Sequence, residues 1–116
     1  MASRKEVWIG LVHVTFHPNH RHFRTYEGAY TNALAWVGSA SEFRARVGHA
    51  IAGYGDMDIS GMKEIEPLNR RLRHYSVPRK ILRLAQKVLD NHSVQCNALY
   101  TYRRKKRTKT RRRSKS

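Results

Sequence analysis

The carboxyl-terminal charge run limits which part of this chain can fold. Residues 103–116 (RRKKRTKTRRRSKS) hold ten Lys or Arg residues and no acidic residue. Such a segment has almost no apolar surface to bury and its like charges repel, so the sequence predicts a disordered tail. We therefore expect the folded part within residues 1–102, a length that suits one small domain.

The predicted domain is basic as well. It carries 14 of the 24 Lys and Arg residues and all eight Asp and Glu residues, so the net charge of +16 divides into +6 for the domain and +10 for the tail. A surplus of this size favours a polyanionic partner, RNA or DNA. The sequence has no apolar run of membrane-spanning length and no signal-peptide pattern. With a single cysteine and so no internal disulfide, we expect an intracellular protein, cytoplasmic or nucleoid-associated.

Hydrophobic patterning predicts four strands. The first, over residues 7–16 (VWIGLVHVTF), is rich in β-branched and aromatic residues and is typical of a strand with both faces covered. The second covers residues 29–38, where large and small apolar residues alternate. The third covers residues 57–68 and is expected at an edge with a bulge at Gly61, and the fourth covers residues 94–102.

Two helices are predicted between these strands. Ser39 and Glu42 form a capping box, and an apolar stripe of Phe43, Val47, Ile51 and Tyr54 follows until Gly53 and Gly55 provide a left-handed stop. The second helix begins after a basic turn at residues 69–75, near Ser76 and Pro78, and ends near Asn91. Its buried face is expected to contain Ile81, Leu82, Ala85, Val88 and Leu89.

The element order ββαβαβ most simply forms an α+β two-layer sandwich. We expect a four-stranded, mostly antiparallel sheet with both helices on one face. The other face would then be free to bury against a second copy, which makes a homodimer a possible partner. This order differs from the βαββαβ order of the common ferredoxin-like RNA-binding module.

Basic residues supply the main candidates for a binding surface. The second predicted helix has four cations opposite its apolar stripe, no acid occurs from residue 69 to residue 89, and the tail continues the charge. The candidate nucleic-acid-binding residues are Arg70, Arg71, Arg73, Arg79, Lys80, Arg83, Lys87, Arg103, Arg104, Lys105, Lys106, Arg107, Lys109, Arg111, Arg112, Arg113 and Lys115.

A histidine-rich loop is the alternative site for chemistry. His17, His20 and His22 could ligate a metal ion or serve as acid and base beside nearby arginines. No zinc-ligand spacing, phosphate-binding glycine loop or nucleophile motif accompanies them, so no cofactor is predicted. His13, inside the first strand, is interpreted as a hydrogen-bonded sheet residue.

Aromatic residues divide into core and surface candidates. Trp8, Trp36 and Phe43 are assigned to the core, whereas bases could stack on Phe23, Tyr26 and Tyr30. For Tyr100 and Tyr102, beside the tail, the sequence favours cross-strand packing over base stacking.

The sequence therefore predicts a small basic nucleic-acid-binding protein that makes phosphate contacts of low sequence specificity. Two alternatives stay open. One is a protein-interaction module that forms a homodimer or small complex and uses the tail as an accessory. The other is a nuclease or metal-dependent enzyme built on the histidine loop.

Overall fold

The computed structural model describes residues 4–18 and 25–103. The strands are β1 (Glu6–Phe16), β2 (Tyr26–Val37), β3 (Met57–Pro67), β4 (Gln95–Cys96) and β5 (Tyr100–Arg103), and the helices are α1 (Ala40–Ala52), α2 (Leu68–His74) and α3 (Arg79–Asn91). All strands join one antiparallel sheet in the order β3-β1-β2, with β4 and β5 both paired to β2. The predicted α+β class with an antiparallel sheet is confirmed.

The single fourth strand predicted over residues 94–102 is wrong, because two short strands form there instead. Between them, Asn97 is hydrogen-bonded to β2. The Asn97 amide donates to the Asn32 carbonyl and the buried Thr31 hydroxyl donates to the Asn97 carbonyl, each at 2.9 Å. The Thr31 side chain thus satisfies a backbone carbonyl that a regular strand would pair with a backbone amide. Because this side-chain hydrogen bond takes the place of a backbone one, the chain can leave the ladder between β4 and β5.

Helix α1 follows the prediction closely at its start. The Ser39 hydroxyl accepts from the Glu42 amide at 3.1 Å, and the Glu42 carboxylate accepts from the Gly38 amide at 2.9 Å. At the other end, Gly53 has a right-handed conformation and Gly55 is the left-handed residue, with φ of 76°. The predicted stop is therefore provided by Gly55 alone, two residues later than the helix cap.

The two faces of the sheet carry different helices. Val12, Val14 and Phe16 of β1 belong to a core cluster with α1, on what we call the first face. Val7 and Ile9 point the opposite way, to the second face, and belong to a cluster with α2 and α3. The predicted arrangement with both helices on one face is therefore wrong, and so is the expectation of a wholly helix-free face for a dimer.

The path of the chain explains this difference. After β2, α1 crosses the first face to reach β3, which runs parallel to β2 on the far side of β1. The chain must then return from the β3 edge to the β2 edge at the end of the sheet where Leu34 pairs with Gln95. Because α1 already covers the first face, α2 and α3 cross the second.

Helix α2 replaces the basic turn that was predicted over residues 69–75. Its Leu68 is buried in the second-face cluster, which anchors a seven-residue helix at the end of β3. The predicted third strand is confirmed as an edge strand, and its register against β1 shifts between Ile59 and Gly61, next to the expected bulge. A second shift lies near Glu64, which has φ of 57°.

Helix α3 covers only one end of the second face. It packs on Ile9 and Leu34, while Leu11, His13 and Tyr30 further along β1 and β2 keep exposed surface. We call this the uncovered half of the second face. Its backbone is held by the pairing of β1 with β2, and its side chains are partly exposed to solvent.

Candidate nucleic-acid interface

The basic face of α3 forms as the sequence predicts. Arg79, Lys80, Arg83 and Lys87 are all exposed, and the buried residues Ile81, Ala85 and Val88 lie on the opposite side of the helix. Leu82 and Leu89 depart from the prediction, because they are 41% and 46% exposed rather than buried. Their positions flank the buried stripe, so the sheet contacts the helix along a narrower line than its apolar residues would permit.

The amino end of α3 combines basic side chains with uncapped backbone amides. Its N-cap residue is Pro78, no side chain caps the free amides, and the first turn contains no acid. Arg79 and Lys80 occupy this turn instead, although the positive end of the helix dipole disfavours cations there. Cations and unpaired amides at one place provide a favourable environment for a phosphate group.

The three arginines of α2 do not have equal roles. Arg70 and Arg73 are exposed, but the Arg71 guanidinium pairs with the Glu66 carboxylate and donates to the Glu64 carbonyl. Only 15% of the Arg71 side chain is exposed. Arg71 therefore fixes the bulged end of β3 to α2, and Arg70 and Arg73 are the two arginines of α2 whose side chains are exposed.

Part of the predicted interface lies outside the described residues. Arg103 is exposed at the end of β5. The other tail candidates, Arg104, Lys105, Lys106, Arg107, Lys109, Arg111, Arg112, Arg113 and Lys115, lie beyond the described range, as do His20 and His22. Their predicted roles stay predictions.

His17, the one histidine of the histidine-rich loop within the described residues, has a structural partner. His17 Nε2 lies 2.9 Å from the Asp58 carboxylate, which ties the end of β1 to the start of β3. Among residues 4–18 and 25–103, no group of three or more His, Cys, Asp or Glu side chains is arranged to hold a metal ion. The histidine-loop alternative stays a prediction, because His20 and His22 lie outside the described residues.

An aromatic cluster lies on the uncovered half of the second face. The His13 and Tyr30 rings are stacked with centroids 4.5 Å apart and planes 13° apart, and the Tyr102 ring is tilted against both. His13 Nε2 lies 2.6 Å from the Tyr102 hydroxyl, which confirms His13 as a hydrogen-bonded sheet residue. Tyr100 pairs with Tyr30 across the β2–β5 ladder, so it lies on the same face.

Tyr102 is fixed over the backbone of β2. A Cβ atom on Gly28 would lie 2.6 Å from the Tyr102 hydroxyl, so the phenol ring occupies the space that a side chain would fill. Burial raises the pKa of the Tyr102 hydroxyl, and the Glu27 carboxylate and Tyr30 raise it further. The hydroxyl therefore stays protonated at neutral pH and can donate a hydrogen bond.

A shallow depression adjoins this cluster. It has a volume of about 190 Å³ and is lined by Leu11, His13, Tyr30, Gly61, Met62 and Lys63. Gly61 pairs with His13 across the β1–β3 ladder, and no atom lies within 4 Å of the position its Cβ would take. The missing side chain opens the depression beside an imidazole, a phenol and an ammonium group.

The first face offers a different kind of cavity. Two adjoining depressions of about 250 and 340 Å³ share Tyr54, Met57 and Leu99. Their lining contains the Asp56 carboxylate and no Lys or Arg. Burial raises the pKa of the Cys96 thiol there, which disfavours the thiolate. This cavity suits an apolar group and not a polyanion.

The sequence named Tyr30 as a residue on which bases could stack and favoured cross-strand packing for Tyr100 and Tyr102, but it did not predict that these rings and His13 lie together. Tyr100 and Tyr102 alternate directly before the tail, and this spacing is the one signal that places both on one face of a strand. Their neighbours His13 and Tyr30 are brought to them by pairing over long sequence separations.

Comparisons of the chain with protein-family models, with curated proteins and with solved structures find no match. Within the described residues, no helix is long and apolar enough to cross a membrane.

Proposed function

We propose that this chain binds nucleic acid through phosphate contacts of low sequence specificity. The contacts come from the exposed cations of α3 and from the basic tail that follows Arg103. The observation that carries the proposal is the amino end of α3, where two cations and uncapped amides stand together without an acid. This arrangement lowers helix stability unless an anion compensates it, so it is better explained by binding than by folding.

Salt dependence provides the first test of the proposal. Binding of the full chain to labelled RNA and DNA is measured by fluorescence anisotropy at several salt concentrations. If about six phosphates are neutralised, affinity falls on the order of a thousandfold between about 50 and 200 mM salt. Affinity that is weak at low salt, or independent of salt, contradicts the proposal.

Two matched double variants locate the contact. Arg79→Gln with Arg83→Gln removes two cations from α3, and Arg4→Gln with Arg44→Gln removes two exposed cations elsewhere. Both variants have the same net charge. The α3 variant is expected to reduce the slope of log affinity against log salt by about 2, since each phosphate contact contributes about 1. The control is expected to keep nearly the whole slope, and equal slopes for the two variants would rule out α3 as the contact.

We propose an interaction module as a second candidate, on one observation. Leu82 and Leu89 are seven residues apart on α3, with 41% and 46% of each exposed, so they form an apolar strip beside the basic face. A second copy or another protein could cover it. Sedimentation at tens of micromolar protein tests self-association: a dimer that Leu82→Gln with Leu89→Gln abolishes supports this candidate, and a monomer contradicts its homodimer form.

A further inference from the structure

We infer that the uncovered half of the second face is a stacking site for unpaired bases, so that the nucleic acid this chain binds is single-stranded. The inference rests on the proposed function and specifies its ligand. The site consists of His13, Tyr30, Tyr100 and Tyr102, together with the depression at Gly61 and Lys63.

The rings of this site are accessible and held in place. Tyr30 is 37% and Tyr100 is 56% exposed, although both are in strands of a rigid sheet. His13 stacks on Tyr30 and bonds to Tyr102, so the cluster is ordered before a ligand arrives. An exposed, preorganised aromatic surface loses little side-chain entropy when a flat ring stacks on it.

The size and chemistry of the depression fit one base. At about 190 Å³ it is smaller than the about 300–1,000 Å³ of pockets for drug-sized ligands. Its wall presents an imidazole and a phenol, which can stack on a base or form hydrogen bonds with its edge. Lys63 at the rim is exposed and can pair with the phosphate of the same nucleotide.

The surrounding charge argues for a nucleic acid as the occupant. Tyr100 and Tyr102 are on β5, whose last residue, Arg103, begins the segment with ten cations in 14 residues. The basic helix α3 packs on the same face of the sheet, at its other end. A strand held by the tail or by α3 is therefore kept close to the aromatic cluster, which raises the local concentration of bases there.

The occupant must be unpaired because a duplex keeps its bases stacked on one another. A base reaches a sheet surface only when its ring face is free, as in a single strand or a loop. The sheet surface thus separates single strands from duplexes, whereas the phosphate contacts of α3 and the tail recognise both.

The test compares single strands with a duplex on the full chain. The probes are labelled oligo(dT) and oligo(rU) of about 12 nucleotides, within the about 4–16 nucleotides that stacking folds cover, and a random-sequence DNA duplex of the same length. Tyr100→Ala is expected to weaken single-strand binding by about fivefold or more, from a stacking contribution of about 1–3 kcal/mol per base. Duplex affinity and the salt slope are expected to stay unchanged.

Two further variants keep the test independent of folding. Gly61→Val fills the depression at a position where an added Cβ meets no atom within 4 Å, and it is expected to weaken single-strand binding as Tyr100→Ala does. Tyr54→Ala removes a ring that is 64% exposed after α1, beside the first-face cavity, and it is expected to leave all affinities unchanged. Circular dichroism checks that all three variants are folded.

The outcomes separate this inference from the proposed function. Salt-dependent binding that Tyr100→Ala and Gly61→Val leave unchanged overturns the stacking site and keeps the phosphate contacts. An equal loss on single strands and duplex also overturns it, because a base-stacking site acts on unpaired bases alone. If the full chain binds none of the probes in a salt-dependent manner, both proposals fail.

Discussion

Two glycines on the uncovered half of the second face have different reasons to be glycine. A Cβ on Gly28 would clash with the Val14 carbonyl oxygen and lie 2.6 Å from the Tyr102 hydroxyl. The carbonyl belongs to the neighbouring strand and cannot move without disturbing the ladder. At Gly61 the same atom would meet nothing within 4 Å. Packing therefore requires a glycine at position 28. At position 61 packing does not require one, and the missing side chain leaves the depression open.

This contrast predicts opposite effects of one substitution. Gly28→Ala is expected to lower the free energy of unfolding by about 1–3 kcal/mol, the usual cost of overpacking. Gly61→Ala is expected to be neutral or to stabilise by up to about 1 kcal/mol, since alanine restricts the unfolded chain. Urea denaturation of both variants measures the difference. Equal stability of the two would contradict the close approach of the Val14 carbonyl and the Tyr102 ring to Gly28.

The structural role of a single residue could be predicted from the sequence, but the residue that it contacts could not. Alternation placed His13 in a strand, and a polar residue there needs a hydrogen bond. Its partner, Tyr102, is 89 residues away in the sequence, and no local pattern indicates that distance. The aromatic cluster could not be predicted for the same reason, because it depends on the register of two separate strand pairs.

At the scale of elements, the start of α1 combines a neutral cap and an ionised one. The Ser39 hydroxyl caps the Glu42 amide, while the Glu42 carboxylate accepts from Gly38 and lies 3.1 Å from Lys5 Nζ. The Gly38 hydrogen bond and Lys5 hold the pKa of Glu42 below its ordinary value of 4.5. A carboxyl with a lowered folded-state pKa stabilises the fold above its ordinary pKa, and it loses this contribution as the pH falls through the lowered value.

The two caps should therefore respond differently to pH. Glu42→Gln is expected to lower the melting temperature at pH 7, and the gap from the parent chain is expected to close as the pH falls below 4.5. Ser39→Ala, the control, is expected to cost about 1 kcal/mol at every pH, because its hydroxyl does not titrate. Thermal melts from pH 7 to pH 3 measure both. A Glu42→Gln gap that persists at the lowest pH would contradict an ionic role.

The sequence predicted where α1 and α3 begin, but it did not predict on which face of the sheet each helix packs. The capping box located α1, and Pro78 with its following apolar stripe located α3. The stripe on α3 shows which side of the helix is buried but carries no information about which face of the sheet buries it. That choice follows from the path between the two sheet edges. Helix α2 escaped prediction because its single anchor, Leu68, was assigned to the end of β3.

At the scale of the whole molecule, one sheet supports two cores. Alternate residues of β1 and β2 contribute to the α1 cluster on one side and to the α3 cluster on the other. Arg46 of α1 also donates to the backbone carbonyl of His92 after α3, at 3.2 Å, and so links the two layers around the edge of β2. Because both cores include side chains of β1 and β2, unfolding of these strands would disrupt both cores together.

The two tryptophans can report on these cores separately. Trp8 packs against the α1 cluster, and Trp36 packs against the α3 cluster and stacks on His92 with ring centroids 4.5 Å apart. Trp8→Phe leaves Trp36 as the only indole, and Trp36→Phe leaves Trp8. Trp8 Nε1 is buried without a hydrogen-bond partner among the described residues, so Trp8→Phe removes an unsatisfied donor and keeps most of the apolar contact.

Urea unfolding of each single-tryptophan variant, followed by fluorescence and by circular dichroism, tests whether the cores unfold together. Because both cores depend on β1 and β2, fluorescence and circular dichroism are expected to give the same unfolding midpoint in each variant. The free energy of unfolding is expected to fall by about 1–3 kcal/mol per molar urea. If α3 were an independent layer, the Trp36 signal would change at a lower urea concentration than the secondary structure. Such a gap would contradict a single cooperative unit and would mean that the basic helix can detach from a sheet that stays folded.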